Sequence, residues 1–184
     1  MTHSSVPHSI ERPSSPFWTF SLRVYAQLGV PQACLGLQDD LELDVNIVLL
    51  ALYAGTSKIV LDSADFLALD AHVATWRSES VWPLRAVRRR IKGQLSSRES
   101  AAGDLANATY QAVKAAELAA EHAQQLVMER WLGARPAGNA GVRCARQNLD
   151  AYLQARGVLR DAPTDARCQI IEAAAEALAR APSA

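Results

Sequence analysis

The stretch from Ser15 to Gly55, SPFWTFSLRVYAQLGVPQACLGLQDDLELDVNIVLLALYAG, decides the fold of this chain. It is dense in aromatic and aliphatic residues, as expected of a buried core. Six polar residues interrupt its middle: Gln38, Asp39, Asp40, Glu42, Asp44 and Asn46. Polar groups between apolar helices serve as helix caps, as solvent-facing turns, or as a site in low-dielectric surroundings. The stretch therefore predicts a helical core with an acidic turn at its centre, and it leaves the role of that turn open.

Start and stop signals divide this stretch into three helices. Ser15 followed by Pro16 is typical of a helix start, with serine as the N-cap and proline at the first helical position. Gly29 predicts the end of the first helix, and a short second helix leads into the acidic turn. Asp44 is placed to cap a third helix over 45–54. Because that helix is apolar almost all round, we expect it at the centre of the core.

The rest of the chain also indicates helices, with no alternating β pattern. Apolar residues recur at helical spacing after Asp62, Pro83 predicts the start of a further helix, and a long alanine-rich helix is predicted over 100–132. We therefore expect an all-α protein, a compact bundle of about six to eight helices with a central apolar helix near 45–54.

Composition divides the chain into four predicted segments. Residues 1–14, rich in serine and proline, are predicted to form a disordered tail, and 15–132 to form a helical core domain. The glycine-rich stretch 133–141 predicts a linker. The helices predicted over 142–184 are expected to pack on the same domain.

Charge and cysteine content exclude several broad classes of protein. Lysine and arginine total 19 and aspartate and glutamate total 19, so the formal net charge is zero and any nucleic-acid or membrane binding needs a local patch. The three cysteines are far apart, without metal-ligand spacing, which favours free buried thiols. No run approaches the roughly 18 apolar residues that span a bilayer. A signal-peptide pattern is also lacking, so we expect a cytoplasmic protein.

Two blocks of sequence resemble a family of short proteobacterial proteins. Residues 17–53, FWTFSLRVYAQLGVPQACLGLQDDLELDVNIVLLALY, are similar to its pattern FWxFSLxxYxxxGVxxACLxLQDxxGxDVNxxLxxLW. Residues 76–92, WRSESVWPLRAVRRRIK, are similar to a second block built on PLRxxRR. Glu42 stands where the family commonly has glycine, and Tyr53 where it commonly has tryptophan. The function of that family is unknown, so the resemblance implies no activity.

The acidic turn is the first candidate site. Its carboxylates could hold a divalent cation such as Mg²⁺, and the weak metal candidates are Asp39, Asp40 and Asp44. If one helix continued through the turn, the resulting DDxxxD would be similar to the metal-binding aspartates of all-α prenyl-transferring enzymes. Those enzymes need a second acidic cluster and a far larger chain. The structural alternative has Asp44 as a cap, Asp40 and Glu42 in solvent, and Asp39 paired with an arginine. A third interpretation is a recognition surface formed by Gln38, Asp39, Asp44 and Asn46.

A cationic helix face is the second candidate. Four basic residues after Pro83 fall at i, i+3, i+4 and i+7: Arg85, Arg88, Arg89 and Lys92. Such a face suits phosphate, nucleic acid or an acidic protein surface. The alternative is a solvated face, partly paired with Asp39 or Asp44. If the two charged elements are adjacent, they neutralise one another, and we expect charge swaps at Asp39 and Arg88 to test this.

No familiar catalytic template is present. The sequence lacks a G-x-G-x-x-G loop, a P-loop and an H-E-x-x-H motif, and its four histidines are scattered. The four tryptophans are expected in the core, except for Trp82 before Pro83, which is expected to be an exposed aromatic anchor.

We therefore expect a small, non-catalytic interaction or adaptor protein, without a cofactor, that recognises a partner protein or a small charged ligand. One alternative is a metal-dependent binder or enzyme that acts on a phosphorylated or diphosphate ligand. The other is a nucleic-acid accessory factor, which the missing aromatic interleaving and zero net charge disfavour. The sequence does not indicate the oligomeric state.

Overall fold

A computed structural model describes residues 15–95, 101–135 and 144–180. Within these ranges the chain is helical and has no strand, which confirms the expected all-α bundle. The predicted tail at 1–14 and most of the predicted linker at 133–141 lie outside the described residues, and the division into domains stays a prediction. The helices are α1 (Pro16–Tyr25), α2 (Val30–Leu41), α3 (Val45–Thr56), α4 (Ser63–Trp76), α5 (Trp82–Leu95), α6 (Ala101–Gly133), α7 (Cys144–Ala155) and α8 (Ala162–Arg180), with a π-helical turn at Arg77–Val81.

Local capping signals place the first helices as the sequence predicts. The Ser15 hydroxyl accepts a hydrogen bond from the Trp18 N–H at 2.9 Å. The Asp44 carboxylate accepts one from the Asn46 N–H, also at 2.9 Å. At α4, Asp62 forms a capping box with Asp65. Each bond satisfies a backbone donor that the start of a helix leaves without an intrahelical partner.

Helix α3 lies at the centre of the core, as predicted. Its residues from Asn46 to Leu52 are all buried, and α7 packs against it more closely than any other described helix. This approach depends on Gly55, since a Cβ placed there would lie 2.4 Å from both the backbone N and the Cα of Ala145. The absence of a side chain at Gly55 thus sets the distance between α3 and α7.

A buried asparagine ties α7 to the loop before α4. Asn148 is fully buried, and its Nδ2 donates to the carbonyl oxygens of Ala51 at 3.2 Å and Ile59 at 2.8 Å. Its Oδ1 accepts from the Leu61 N–H at 2.9 Å. Asn148 was not predicted from the sequence, because its partners lie far away along the chain, in α3 and in the loop before α4.

The helix predicted to begin at Pro83 is α5, which begins at Trp82 as the continuation of the preceding helical turn. The chain stays helical from α4 through the π-helical turn into α5, and the residues on either side of the turn, Trp76 and Trp82, both have right-handed helical dihedrals. Within the turn the Trp82 N–H donates to the carbonyl of Arg77, five residues back. Pro83 lacks an N–H, and a π turn is one of the known ways by which a helix accommodates such an interruption. Proline therefore marks a local widening here rather than a helix start.

The last helix packs on α2. It begins at Ala162, and the Asp161 carboxylate accepts from the Thr164 N–H at 3.0 Å. Arg167 of α8 donates to the carbonyl of Gly36 in α2 at 3.1 Å. In the described part of the chain, no helix is long and apolar enough to cross a membrane. The three cysteines form no disulfide and are buried, as predicted.

Candidate functional site

Two clefts meet at a wall formed by Gln38 of α2 and Arg85 of α5. The first cleft has a volume of about 480 Å³ and lies between α1, α2, α3, α5 and α6. The second cleft has a volume of about 930 Å³ and lies between the α2–α3 turn, the π-helical turn, α5, α6 and the end of α7. Gln38 and Arg85 line both clefts. The acidic turn and the basic helix face therefore lie side by side.

The carboxylates of the acidic turn point to different partners. Asp39 lies 2.6 Å from Arg89 and accepts a hydrogen bond from Gln38 at 3.0 Å. The pKa of Asp39 is lowered, mainly by the hydrogen bond from Gln38 and further by Arg89. Asp40 pairs with Arg167 of α8 at 2.5 Å. Arg89 rather than Arg88 is therefore the partner of Asp39, because successive residues of a helix point about 100° apart around its axis.

Glu42 ends α2 in a left-handed conformation. Its φ is 54°, a value that favours glycine because a side chain crowds the backbone there. Leu43 N–H then donates to the carbonyl of Leu37 at 3.2 Å, which closes the helix end. Glycine reaches this conformation without crowding, whereas Glu42 adopts it at some cost in strain.

Asp44 joins four structural elements. One oxygen caps α3, and the other accepts from Arg77 Nη1 in the π-helical turn at 3.1 Å and from Gln124 Nε2 of α6 at 2.8 Å. Its backbone N–H donates to the hydroxyl of Tyr152 in α7 at 3.0 Å. Burial is the largest cause of a raised pKa at Tyr152. Asp44 is thus a cap, as the structural alternative expected, and also the acceptor that holds Arg77.

The three weak metal candidates do not converge. Asp39, Asp40 and Asp44 each pair with a different arginine on a different element. Among the residues that the structure describes, no group of three or more histidine, cysteine, aspartate and glutamate side chains could hold a metal ion. The DDxxxD spacing does not produce a shared face, because α2 ends at Leu41 and α3 begins at Val45.

Two of the four residues of the basic helix face, Arg85 and Arg88, bind carboxylates of α6. Arg85 donates to Glu117 at 3.1 Å and to Glu121 at 2.5 Å, and Arg88 donates twice to Glu117. Lys92 is exposed. The expected partners of the face were Asp39 and Asp44, and that expectation holds only for Arg89 with Asp39. The spacing of Glu117 and Glu121, one helical turn apart, was the signal that could have identified the partners of Arg85 and Arg88.

The ionisation of Glu121 gives a pH-dependent prediction. Burial raises the pKa of Glu121, and Arg85 only partly offsets this. The folded state therefore retains this proton to higher pH than the unfolded chain, so the contribution to stability is present below pH 4.5, the ordinary pKa, and is lost as the pH rises through the raised value. We expect Glu121→Gln to gain stability relative to the wild type between about pH 4 and about pH 7.

Urea unfolding of both proteins at each pH measures that difference. Glu79→Gln, at an exposed position in the π-helical turn, controls for the loss of one negative charge. A difference between Glu121→Gln and the wild type that stays constant or shrinks with rising pH would contradict the prediction.

Four buried polar atoms without a hydrogen-bond partner lie in the walls of the two clefts. Ser21 Oγ and Gln125 Oε1 lie in the first, and the side chains of these residues are 3% and 2% exposed. Arg77 Nε and Gln124 Oε1 lie in the second. Gln125 Nε2 donates to Asn46 Oδ1 at 2.7 Å, so the buried Asn46 oxygen has a hydrogen-bond partner. None of these four residues was predicted from the sequence, because single polar residues on apolar helices resemble ordinary surface positions.

A matched pair of serines tests whether the Ser21 hydroxyl contributes to the fold. Ser15 and Ser21 are both buried in or beside α1, but Ser15 caps the helix and donates to Glu129 at 2.7 Å. We expect Ser15→Ala to lose about 1–2 kcal/mol of unfolding free energy. Ser21→Ala should lose nothing and gain up to about 1 kcal/mol, because a buried hydroxyl without a partner is unfavourable. Chemical denaturation compares the two, and an equal loss in both variants would contradict the assignment of Ser21.

The tryptophans differ in their placement. Trp82 is 52% exposed beside the second cleft, which agrees with the exposed anchor that the sequence predicts, and the Arg77 guanidinium lies 5.4 Å from its ring centre. Trp76 was expected in the core and is 45% exposed, because its indole N–H reaches the carbonyl of Ala120 at the edge of α6. Trp18 lines the first cleft and stacks on His122 at 4.4 Å.

Comparison with known proteins places the chain in a family. The search of curated proteins found no match, and neither did the search of solved structures. Residues 16–128 match the family described as Protein of unknown function (DUF2390), and this region includes both blocks of the resemblance and the walls of the first cleft. Since the match spans more than half of the chain, this protein belongs to the DUF2390 family, a family of unknown function.

Proposed function

We propose that this protein is a non-catalytic binding protein whose first cleft takes a small, largely apolar ligand. The observation that carries the proposal is the pair of unpartnered buried polar atoms, Ser21 Oγ and Gln125 Oε1, on residues that line the cleft beside its apolar side chains. Natural ligand sites are concave, mostly apolar and furnished with a few convergent polar groups. The sequence led us to expect a partner protein or a small charged ligand, and the proposal differs from that expectation because it takes the ligand to be small and largely apolar.

The size and lining of the first cleft support binding of a small molecule. Its volume of about 480 Å³ lies in the range of small-molecule sites. Apolar side chains from three helices make up much of its wall: Trp18, Leu22, Tyr25, Leu35, Val45 and Leu49. A ligand there would remove apolar surface from water, which is the main favourable contribution to such binding.

The reactive groups in the wall support a binding role rather than catalysis. Cys34 is buried, and burial raises the pKa of its thiol to about 12, so the nucleophilic thiolate is scarce at neutral pH. Glu117 and Glu121 accept hydrogen bonds from Arg85 and Arg88. Their carboxylates are therefore engaged with cations rather than placed to accept a proton from a ligand.

Nuclear magnetic resonance with toluene tests this function, because toluene is a minimal apolar probe. The four indole N–H signals provide their own control: Trp18 lies in the first cleft, Trp82 lines the second, and Trp76 and Trp131 line neither. We expect a saturable shift of the Trp18 signal with the Trp76 and Trp131 signals unchanged. No shift at Trp18, or equal shifts at all four, would refute the proposal.

A phosphorylated ligand in the second cleft is the second candidate. Arg77 Nε has no hydrogen-bond partner, and the side chains of Arg89 and Arg156 are 51% and 37% exposed at the same cleft. Guanidinium groups bind phosphate through paired hydrogen bonds. Titration with inorganic diphosphate, with and without Mg²⁺, should shift the Trp82 indole and leave Trp18 unchanged. An unshifted Trp82 signal under both conditions removes this candidate.

A further inference from the structure

We infer that the ligand of the first cleft carries a neutral head group that both donates and accepts hydrogen bonds, such as a hydroxyl or a carboxamide, on an apolar body. This inference rests on the proposed function and names the class of molecule. It depends on which polar groups of the cleft are already engaged and which are not.

The two atoms without a partner, Ser21 Oγ and Gln125 Oε1, are neutral, and together they can pair with one donor and one acceptor. Gln125 already uses its Nε2 on Asn46, so its free Oε1 can only accept a hydrogen bond. The free Ser21 hydroxyl can donate or accept. Both atoms are fully buried, so each side chain must turn towards the cleft before a head group with an O–H or N–H for Gln125 and a lone pair for Ser21 can satisfy them. Buried polar atoms without partners are costly, so a ligand that satisfies them gains relative to one that does not.

Four of the five charged side chains that line the cleft pair with one another, and the fifth, Lys114, lies eleven residues from Gln125 on α6, about 16 Å along the helix. Arg85 and Arg88 bind Glu117 and Glu121, giving two cations and two anions in one connected network. Glu117 is 5% exposed and holds both arginines. An anionic head group would have to displace a buried carboxylate from these arginines and leave it without a cation, which is unfavourable. A cationic head group would have to displace an arginine in the same way.

A series of three probes with one apolar body tests the head group. Toluene supplies the apolar body alone, 4-methylphenol adds a neutral hydroxyl, and 4-methylphenyl phosphate adds an anion. Dissociation constants come from the shifts of the Trp18 indole N–H and of the Asn46 and Gln125 side-chain amides. We expect 4-methylphenol to bind about fivefold more tightly than toluene, the ratio for one net hydrogen bond, and the phosphate to bind more weakly than both.

Two variants locate the preference in the cleft. Ser21→Ala should reduce the ratio of the dissociation constant of toluene to that of 4-methylphenol. Ser78→Ala, an exposed serine that lines neither cleft, should leave this ratio unchanged. Urea unfolding of Ser21→Ala confirms that the variant is folded before its affinity is interpreted.

The outcomes separate this inference from the proposed function. Equal binding of toluene and 4-methylphenol, or tighter binding of the phosphate, overturns the neutral head group and leaves the binding role intact. If Ser21→Ala does not reduce the affinity of 4-methylphenol relative to that of toluene, the head group does not lie at Ser21 and this assignment is overturned. If none of the three probes shifts the Trp18 signal, the proposed function itself fails.

Discussion

Replacement of Arg77 by methionine should lower the free energy of unfolding by about 3–5 kcal/mol. Arg77 is 8% exposed, and its Nη1 donates to Asp70 at 2.7 Å and to Asp44 at 3.1 Å. Methionine fills a similar volume but leaves both carboxylates without this cation. Asp44 would remain buried as the cap of α3, so its charge could not move to solvent without loss of the cap. Denaturant unfolding monitored by circular dichroism measures the change.

The matched control is Arg89→Met, which removes an arginine from an exposed pair. The side chains of Arg89 and Asp39 are 51% and 47% exposed, so water can solvate Asp39 when its partner is lost. We expect a loss of about 0–1 kcal/mol. Adding Asp70→Asn to Arg77→Met should recover part of the larger loss, because it removes one of the two carboxylate charges that Arg77 neutralised. Similar losses for Arg77→Met and Arg89→Met would show that the buried pair does not organise the fold.

Gly55→Ala should destabilise the protein by about 3 kcal/mol, although it adds only one methyl group. The new Cβ would lie 2.4 Å from the Cα and backbone N of Ala145, and backbone atoms cannot yield as a flexible side chain can. Helices α3 and α7 would have to separate, and the packing of Ile47, Leu50 and other buried residues of α3 would loosen with them. Thermal or chemical unfolding of the variant measures the loss.

Gly93→Ala makes the same substitution in a helix without the steric conflict. No atom lies within 4 Å of the position that a Cβ at Gly93 would occupy. Because alanine favours helix more than glycine does, we expect a gain of about 0.5–1 kcal/mol at this position. Opposite signs for the two variants would assign the effect at Gly55 to the contact between helices. A gain at Gly55 as well would refute the close approach of α3 and α7.

The parts of the fold that depend on neighbouring residues were predictable from the sequence. Ser15, Asp44 and Asp62 act as caps because their partners lie two or three residues away. The central position of α3 followed from its apolar surface on all sides. Pro83 was misread because the same residue is found at helix starts and after π turns, and only the carbonyl that the Trp82 N–H reaches distinguishes the two.

The candidate site was predictable only in its location. Gln38, Asn46, Arg85 and Arg88 were selected from the sequence, and the structure places all four in the wall of the first cleft. Their partners were not predictable, because Glu117 and Glu121 lie about thirty residues further along and meet Arg85 only after α5 and α6 pack together. Ser21 and Gln125 gave no local signal, since an unpaired polar atom is a property of the packed structure.

The π-helical turn sets the rotational phase of the wall between the clefts. Successive buried positions fall at Val73, Arg77 and Val81, and Arg85 follows four residues later with its side chain largely covered. In a regular α-helix, residues spaced four apart are rotated by about 40° from one to the next, so Arg85 would be rotated by about 120° from Val73. The π-helical turn contains one extra residue, which offsets about 100° of this rotation, so Arg85 still points towards α6. Deleting one residue between Arg77 and Val81 would therefore act at a distance: it would swing the arginines of α5 away from Glu117 and separate the two clefts from their common wall.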